Sequence, residues 1–452
     1  MTIAPPRALS REPSPPREPG AAGAAARPVI VTAVLVVHDG AAWLKACLDA
    51  LALQTRPPDR LVIVDTGSTD RSALIVSGHV RIREVFDEIR VISAPRESTF
   101  GEAVGRAVER LSAASGPSSP DAVVWLWLLH DDSAAAPEAL SHLLDAVRRS
   151  PSVGVAGPKL TTWDDPSRLL EVGQQITRSG SRAGGPARGE PDQGQHDHRS
   201  DVLGVNTSGM LIRRDVYDAL GGFDPAFGRF RDDLDLSWRA HLAGHRVVVV
   251  PKARMREVAA STNGQRCGGP SAPAARRRDR RQGRQVVLAR CSLYAVPFLA
   301  LWNALASLGS AVLLLMVKRP QRAWEELSGL GPLITPWRPI SARWRSRGSR
   351  RVRRRDLRGL FAAPRAGFLD AFETMQDAVT LAPDGSTQGG AGARSRSAAP
   401  RAWRRGRAPT TASRSGSPCA ASRRGSCAIP ASWRSSSAPW CRWRSGARSW
   451  QG

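Results

Sequence analysis

Three short acidic clusters carry the residue types from which chemistry can be built. The first is Asp65-Thr66-Gly67-Ser68-Thr69-Asp70, directly after the apolar run 61–64. An acid beyond the carboxyl end of a parallel strand sits where open α/β sheets bind ligands. There Asp65 can accept from a base N–H or a ribose hydroxyl. Gly67 lets the backbone turn tightly, and Ser68, Thr69 or Asp70 can cap the next helix. A capped strand–helix turn with no ligand explains this stretch equally well. It lacks G-x-G-x-x-G, which disfavours a dinucleotide site.

The second cluster is His130-Asp131-Asp132, at the end of a strongly hydrophobic run. Adjacent carboxylates repel and need a cation or donors. A divalent metal bridging them to a diphosphate meets that need and neutralises charge on a departing nucleotide diphosphate. The plainer alternative is a solvated turn capping the next helix. The third is Arg231-Asp232-Asp233-Leu234-Asp235-Leu236-Ser237-Trp238-Arg239. Asp235 and Arg239 stand i,i+4 on a helix and can pair, which accounts for Asp235. The Asp232-Asp233 pair is less well accounted for, and a carboxylate there is placed to act as a general base.

These clusters need a frame. Val29–Val37 is a continuous apolar run, as in a parallel strand buried on both faces. Residues 41–53 read as an amphipathic helix and 61–64 as a second strand, making a right-handed parallel crossover. The alternation continues with strands at 90–93, 122–129 and 154–156 and helices at 100–111 and from Pro137 through Arg148. Residues 178–201 read as a mobile polar loop. A strand at 210–212, a helix at 231–242 and a last strand at 247–250 complete the pattern.

In this order and on this strand pattern, the clusters resemble the family 2 glycosyltransferases with a GT-A fold. The resemblance covers about residues 31–263. It rests on V-L-V-V-H-D-G at 34–40, V-D-T-G-S-T-D at 64–70, L-H-D-D-S at 129–133, G-M-L-I-R-R-D-V at 209–216, G-G-F-D at 221–224 and D-D-L-D-L-S-W-R at 232–239. It implies an α/β fold with a mixed, mainly parallel sheet flanked by helices. It implies an inverting transfer of sugar from a nucleotide diphosphate to a hydroxyl of an envelope glycan or polyprenyl-linked acceptor, with Mn²⁺ or Mg²⁺ as cofactor.

By position, the resemblance makes Asp233 the catalytic base and His38, Asp65, Ser68, Asp70 and Asp131 donor-binding. Gly209, Met210, Asp232, Asp235, Trp238 and Arg239 fall to the acceptor and sugar pocket. Asp132, His130 and Glu257 fall to the metal. His130 stands where the family usually has Asp, and Glu257 where many members have His. No Q-x-x-R-W follows, so a processive polysaccharide synthase is disfavoured.

Charge divides the 452-residue chain. The net charge is +26, yet residues 1–274 balance to zero. Residues 275–290 carry +6 and residues 318–358 carry +10. A basic surface spread through the fold, as in a dedicated nucleic-acid binder, is excluded, and no nucleic-acid partner is expected. Six cysteines without paired spacing exclude a disulfide scaffold.

The expected organisation is a disordered leader at 1–28, a transferase domain at 29–265 and a basic linker at 266–290. Residues 291–317 carry no charge and read as a transmembrane or re-entrant segment kinked at Pro297. A basic juxtamembrane region with short helices follows at 318–384, touching membrane lipid. The expected location is the cell membrane, with the catalytic domain on its cytoplasmic face. Residues 385–452 hold thirteen Arg, five Trp and no Leu, Val or Phe. They cannot bury a core and read as a disordered tail resembling out-of-frame translation. Rival readings are a transferase-fold scaffold without catalysis and a basic lipid- or RNA-binding protein acting through residues 275–452.

Overall fold

The run Val29–Val37 forms strand β1, and its two faces enter two different cores. Val31, Ala33, Leu35 and Val37 pack on one side with Leu44, Leu48, Leu140 and Leu144. Val34 and Val36 pack on the other with Ala103, Val104, Val108 and Leu236. Burial on both faces is why the run has no polar alternation. The structure, a computed structural model, describes residues 27–114, 122–187, 189–266, 268–335, 337–346, 348 and 350–363. The tail at 385–452 and all but the last two residues of the expected leader lie outside the described residues.

Among the described residues nine strands form one sheet: β1, β2 (Arg60–Asp65), β3 (Ile89–Ser93), β4 (Val123–His130), β5 (Ser133–Ala135), β6 (Val153–Thr162), β7 (Leu169–Glu171), β8 (Leu211–Arg213) and β9 (Arg246–Glu257). Their order is β3-β2-β1-β4-β8-β6-β9-β5, with β7 added to β6. Strands β1 to β4 pair in parallel. Strand β8 runs antiparallel between β4 and β6.

Helices α1 (Leu44–Ala52), α2 (Ser72–Gly78), α3 (Val80–Val85), α4 (Phe100–Ala114), α5 (Ala139–Arg149), α6 (Arg214–Ala219), α7 (Asp232–Leu242) and α8 (Ala260–Asn263) flank the sheet or follow it. Helix α1 earns its place through Leu44, Cys47, Leu48 and Leu51, which line one buried stripe. Burying each leucine contributes roughly 1.5–3 kcal/mol.

Four strands were read short or not at all: β6 and β9 extend well beyond 154–156 and 247–250, and β5 and β7 carry no signal of their own. Strand β9 runs on past Pro251 because the β6–β9 register shifts between Pro158 and Lys159. The extra β9 residues in that bulge accommodate a proline that has no N–H to give the ladder. Strand β5 is only three residues long and exists by pairing with the far end of β9. Residues 178–201 hold no regular helix or strand among the described residues. They are nevertheless pinned by bridges from Arg168 to Pro191 and from Asp201 to Val248. Fully buried Lys159 also reaches them, with its Nζ 3.0 Å from Asp192 Oδ1.

The expected basic linker is instead mostly helix. Helix α9 (Ala272–Arg290) buries Val286, Val287 and Ala289 against Leu234, Trp238 and Leu242 of α7. Two of its charges pair with α7 or the residue before it: Arg231 Nε donates to Asp279 Oδ1 at 2.6 Å, and Arg290 Nε to Asp235 Oδ1 at 2.6 Å. Beyond it come α10 (Ala295–Met316), α11 (Pro320–Ser328), α12 (Gly331–Ile334), α13 (Trp337–Arg345) and a 3₁₀ turn at Arg354–Leu360. Pro297 does not kink α10. It falls in the first turn, where its missing N–H would have no intrahelical partner.

Candidate active site

The carboxyl ends of β1, β2 and β4 lie side by side, so the turns that follow them share one rim. At β2, Asp65 Oδ1 accepts from Ser68 N at 3.0 Å and from Ser68 Oγ at 2.6 Å. At β1, His38 Nδ1 lies 2.9 Å from Thr66 Oγ1, while its backbone N–H donates to Asp131 Oδ2 at 2.8 Å. His38 thereby ties the first acidic turn to the second. Asp39 takes a positive φ of 48° and accepts from Thr69 N at 2.7 Å. The Arg96 guanidinium bonded to it holds its carboxyl far below the usual carboxylate range. A cleft of about 490 Å³ opens beside Asp65, lined by Ser72, Arg83, Ile63, Ile82 and Phe86.

At the end of β4, His130, Asp132 and Glu257 each offer a ligand atom, all within 4.8 Å of one another. Glu257 arrives from the end of β9, whose register pairs Ser133 with Glu257. Val258 N donates to Asp132 O at 3.0 Å, and Ala260 N to Asp132 Oδ2 at 2.9 Å. His130 Nε2 lies 2.9 Å from Thr207 Oγ1, leaving Nδ1 on the side of Asp132 Oδ1 at 3.9 Å.

Asp132 Oδ1 and Glu257 Oε2 are buried without a hydrogen-bond partner. Arg266 Nη2 comes within 3.3 Å of Asp132 Oδ1, in ion-pair reach but off hydrogen-bond geometry. Orphaned buried carboxylate oxygens are costly. With a neutral imidazole beside them they make a donor set suited to a divalent cation. Burial, then the nearby Arg266, holds the His130 imidazolium down to about 4, so the ring is neutral at physiological pH. Burial, then the charge of Asp132, pushes the Glu257 carboxyl well above its ordinary range.

The third cluster opens α7. Arg231 adopts a φ of 62° before the helix, so the helix begins one residue later than the spacing predicts. Asp233 Oδ2 accepts from Gln174 Nε2, and its Oδ1 accepts from Leu234 N at 2.7 Å. Its charge acts on both Glu257 and His130, which joins this cluster to the metal-type one. Burial and then the charge of Asp233 push the Asp232 carboxyl well above the usual range. Burial and repulsion from Asp233 thus favour the protonated form of Asp232.

Several residues assigned to the acceptor pocket are elsewhere. Asp235 is fully buried, bonded to Arg239 Nε at 2.8 Å and to Arg290 Nε. Arg239 spends its other nitrogens on Leu220 O and Gly222 O, both at 2.8 Å. Trp238 is 2% exposed and stacks edge-on against Phe361. Met210 is buried in the core with Leu126 and Leu128. These four fasten the fold and offer no surface to an acceptor.

Gly209 lies two residues after Thr207, whose hydroxyl meets His130. Its N–H donates to Leu128 O at 2.9 Å. Its φ is +92°, and an added Cβ would lie 2.2 Å from Met255 Sδ. Asp70 is occupied by the Ala41 and Ser72 N–H groups at 2.8 and 2.9 Å. Asp131 is held by His38 N and by the Arg266 guanidinium, which also reaches His38 O. Gln174, Thr207 and Arg266 carry no motif and were not legible as site residues.

Residues 28–284 match the family model described as "Glycosyltransferase like family 2". The chain is 25% identical over 245 residues to the N-acetylglucosaminyl-diphospho-decaprenol L-rhamnosyltransferase of Mycobacterium tuberculosis, covering 52% of this chain and 78% of that protein. It is 26% identical over 225 residues to the galactofuranosyltransferase GlfT1 of Mycolicibacterium smegmatis, covering 48% and 66%. A solved structure of the mannosyltransferase PcManGT from Pyrobaculum calidifontis, with GDP-Man and Mn²⁺, aligns with a TM-score of 0.39 at 16% identity, over 76% of this chain and 79% of that one. The family match spans all three acidic clusters and the sheet that carries them, a mixed, mainly parallel GT-A sheet flanked by helices. The chain belongs to the family 2 glycosyltransferases and is a glycosyltransferase.

Proposed function

We propose that the enzyme moves a sugar from a nucleotide-diphosphate donor to a hydroxyl of an envelope-glycan or lipid-linked acceptor, in one displacement that inverts the anomeric carbon. The observation that carries this reading is the pair of orphaned buried oxygens, Asp132 Oδ1 and Glu257 Oε2, inside a cluster that Asp233 influences electrostatically. Residues 29–265 form the catalytic unit. Decaprenyl-diphosphate and galactofuranosyl chemistry in the names of the two relatives supports a lipid-linked or cell-wall acceptor.

Asp65, at the end of β2, receives the nucleoside, with the adjoining cleft accommodating part of it. His38 and Ser68 hold the turn that presents Asp65. His130, Asp132 and Glu257 hold Mn²⁺ or Mg²⁺. When bound, the ion supplies positive charge against the departing diphosphate. Asp233, oriented by Gln174, takes the proton of the attacking hydroxyl. The enzyme works at the cytoplasmic face of the cell membrane, where α10 provides contact with lipid.

A panel of GDP-mannose, UDP-sugars and dTDP-rhamnose, tested for transfer and donor hydrolysis with Mn²⁺ or Mg²⁺, checks the donor class. Asp233→Asn is expected to abolish transfer while leaving donor binding intact. Full activity in that variant removes the base assignment.

A further inference from the structure

Helix α10 has two unlike faces. Leu299, Asn303, Ser307 and Ala311, four residues apart, are buried. Leu301, Leu305, Leu308, Val312 and Leu315 form an exposed stripe on the other side.

The buried face is fastened by ions near the middle of the helix. Arg284 Nη2 of α9 donates to Ser307 Oγ at 2.6 Å and to Glu326 Oε1 of α11 at 2.7 Å. Ser307 Oγ lies 3.2 Å from the same Glu326 oxygen, and Arg280 forms an ion pair with the other, Glu326 Oε2. Nearer the helix start, Leu299 packs in one cluster with Leu234 and Trp238 of α7. Helix α9 is itself tied to α7 through Arg290 and Asp235.

At 22 residues, α10 is about 33 Å long, enough to cross ~30 Å of hydrocarbon. Standing upright, however, it would carry Arg280, Arg284 and Glu326 toward the bilayer centre, where charge is most costly. It would also draw the transferase domain in with Leu299. Lying flat, it can lower its apolar stripe into the acyl region while the ions remain on the protein side.

The surroundings indicate which surface it would meet. Residues 275–290 carry +6 and residues 318–358 carry +10. Trp302, Trp324 and Trp337 are exposed. Indole rings favour the headgroup level, and clustered Arg and Lys favour anionic lipid. We infer that α10 is an in-plane anchor that docks the enzyme on an anionic bilayer surface, its axis parallel to the membrane. This does not depend on the transfer reaction.

The test uses the full chain with every cysteine except buried Cys47 replaced by serine. Nitroxide labels are placed singly at Leu301→Cys, Leu305→Cys, Leu308→Cys and Leu315→Cys. Binding is measured to vesicles of phosphatidylcholine with phosphatidylglycerol and of phosphatidylcholine alone. The expected result is one common shallow depth at all four positions, with binding weakened at least about tenfold when the anionic lipid is omitted or the salt raised. A profile deepest at 305 and 308 and shallow at 301 and 315 would establish a crossing helix and overturn the inference. So would equal binding to both vesicles, or failure to bind either with self-association through α10.

Discussion

Gln174 Nε2 donates to Asp233 Oδ2 across 59 residues of sequence, joining the loop after β7 to the first turn of α7. The contact fixes the carboxylate proposed as base, whose other oxygen is held by Leu234 N at 2.7 Å. Asp233→Asn should lower kcat by at least about 10²-fold, with donor affinity by calorimetry unchanged. Gln174→Ala should lower kcat by about 10- to 100-fold through misplacement while the donor KM moves little. A donor KM that rises instead would make Gln174 a binding residue.

Glu257→Gln should weaken Mn²⁺ binding, read by electron paramagnetic resonance, by more than the ~10–100-fold typical of second-shell losses. The Glu257 carboxyl is raised by burial and by Asp132, so it must lose a proton to ligate. Metal affinity should therefore rise with pH above the ordinary carboxylate range. In metal-free protein the sign reverses. A carboxyl raised on folding contributes stability at low pH and loses it as pH rises toward its folded value. Denaturation against pH should show that loss, and Glu257→Gln should flatten it.

His130 contributes in the opposite direction. Its folded value of about 4 lies below the unfolded imidazole value, so the folded state resists protonation. Stability should fall as pH drops from ~6.5 toward 4. His130→Asn should shrink that acid-side loss, measured by urea midpoints at several pH values.

The salt link between Asp235 and Arg290 joins α7 to α9 with no solvent access. Asp235→Ala would leave buried Arg239 with backbone carbonyls alone and Arg290 with Asp224 as its one remaining carboxylate, and should cost about 3–5 kcal/mol of unfolding free energy. The check is chemical denaturation, with activity assayed where the variant remains folded. Lost activity with unchanged stability would return Asp235 to the acceptor site.

Gly209→Ala should destabilise by about 1–3 kcal/mol or more. Its φ is +92°, and the added Cβ would meet Met255 Sδ at 2.2 Å and Pro158 Cγ at 2.7 Å. Thermal unfolding measures the loss.

The frame was legible where one physical cause acts alone. Double-sided burial writes itself as an unbroken apolar run, so β1 and the core of β4 were read nearly to their ends. Strand β9 was cut short because Pro251 reads as a stop, and only pairing with β6 shows the bulge that accepts it. The acidic clusters were visible as residue types, but their environments were not. Asp235 and Asp233 differ by two positions in one motif. One is sealed between arginines, while the other is bonded to a glutamine no motif announces. Arg290 reads as one more charge in a basic stretch until α9 folds back onto α7.

The β5–β9 ladder holds the proposed metal ligands from two sides. Asp132 and Glu257 flank a single rung, with Ser133 opposite Glu257 and Val258 N bonded to Asp132 O at 3.0 Å. Backbone therefore sets the gap between the two carboxylates before any cation arrives. A chelator would empty this cage without dismantling it, and reloading would require no refolding.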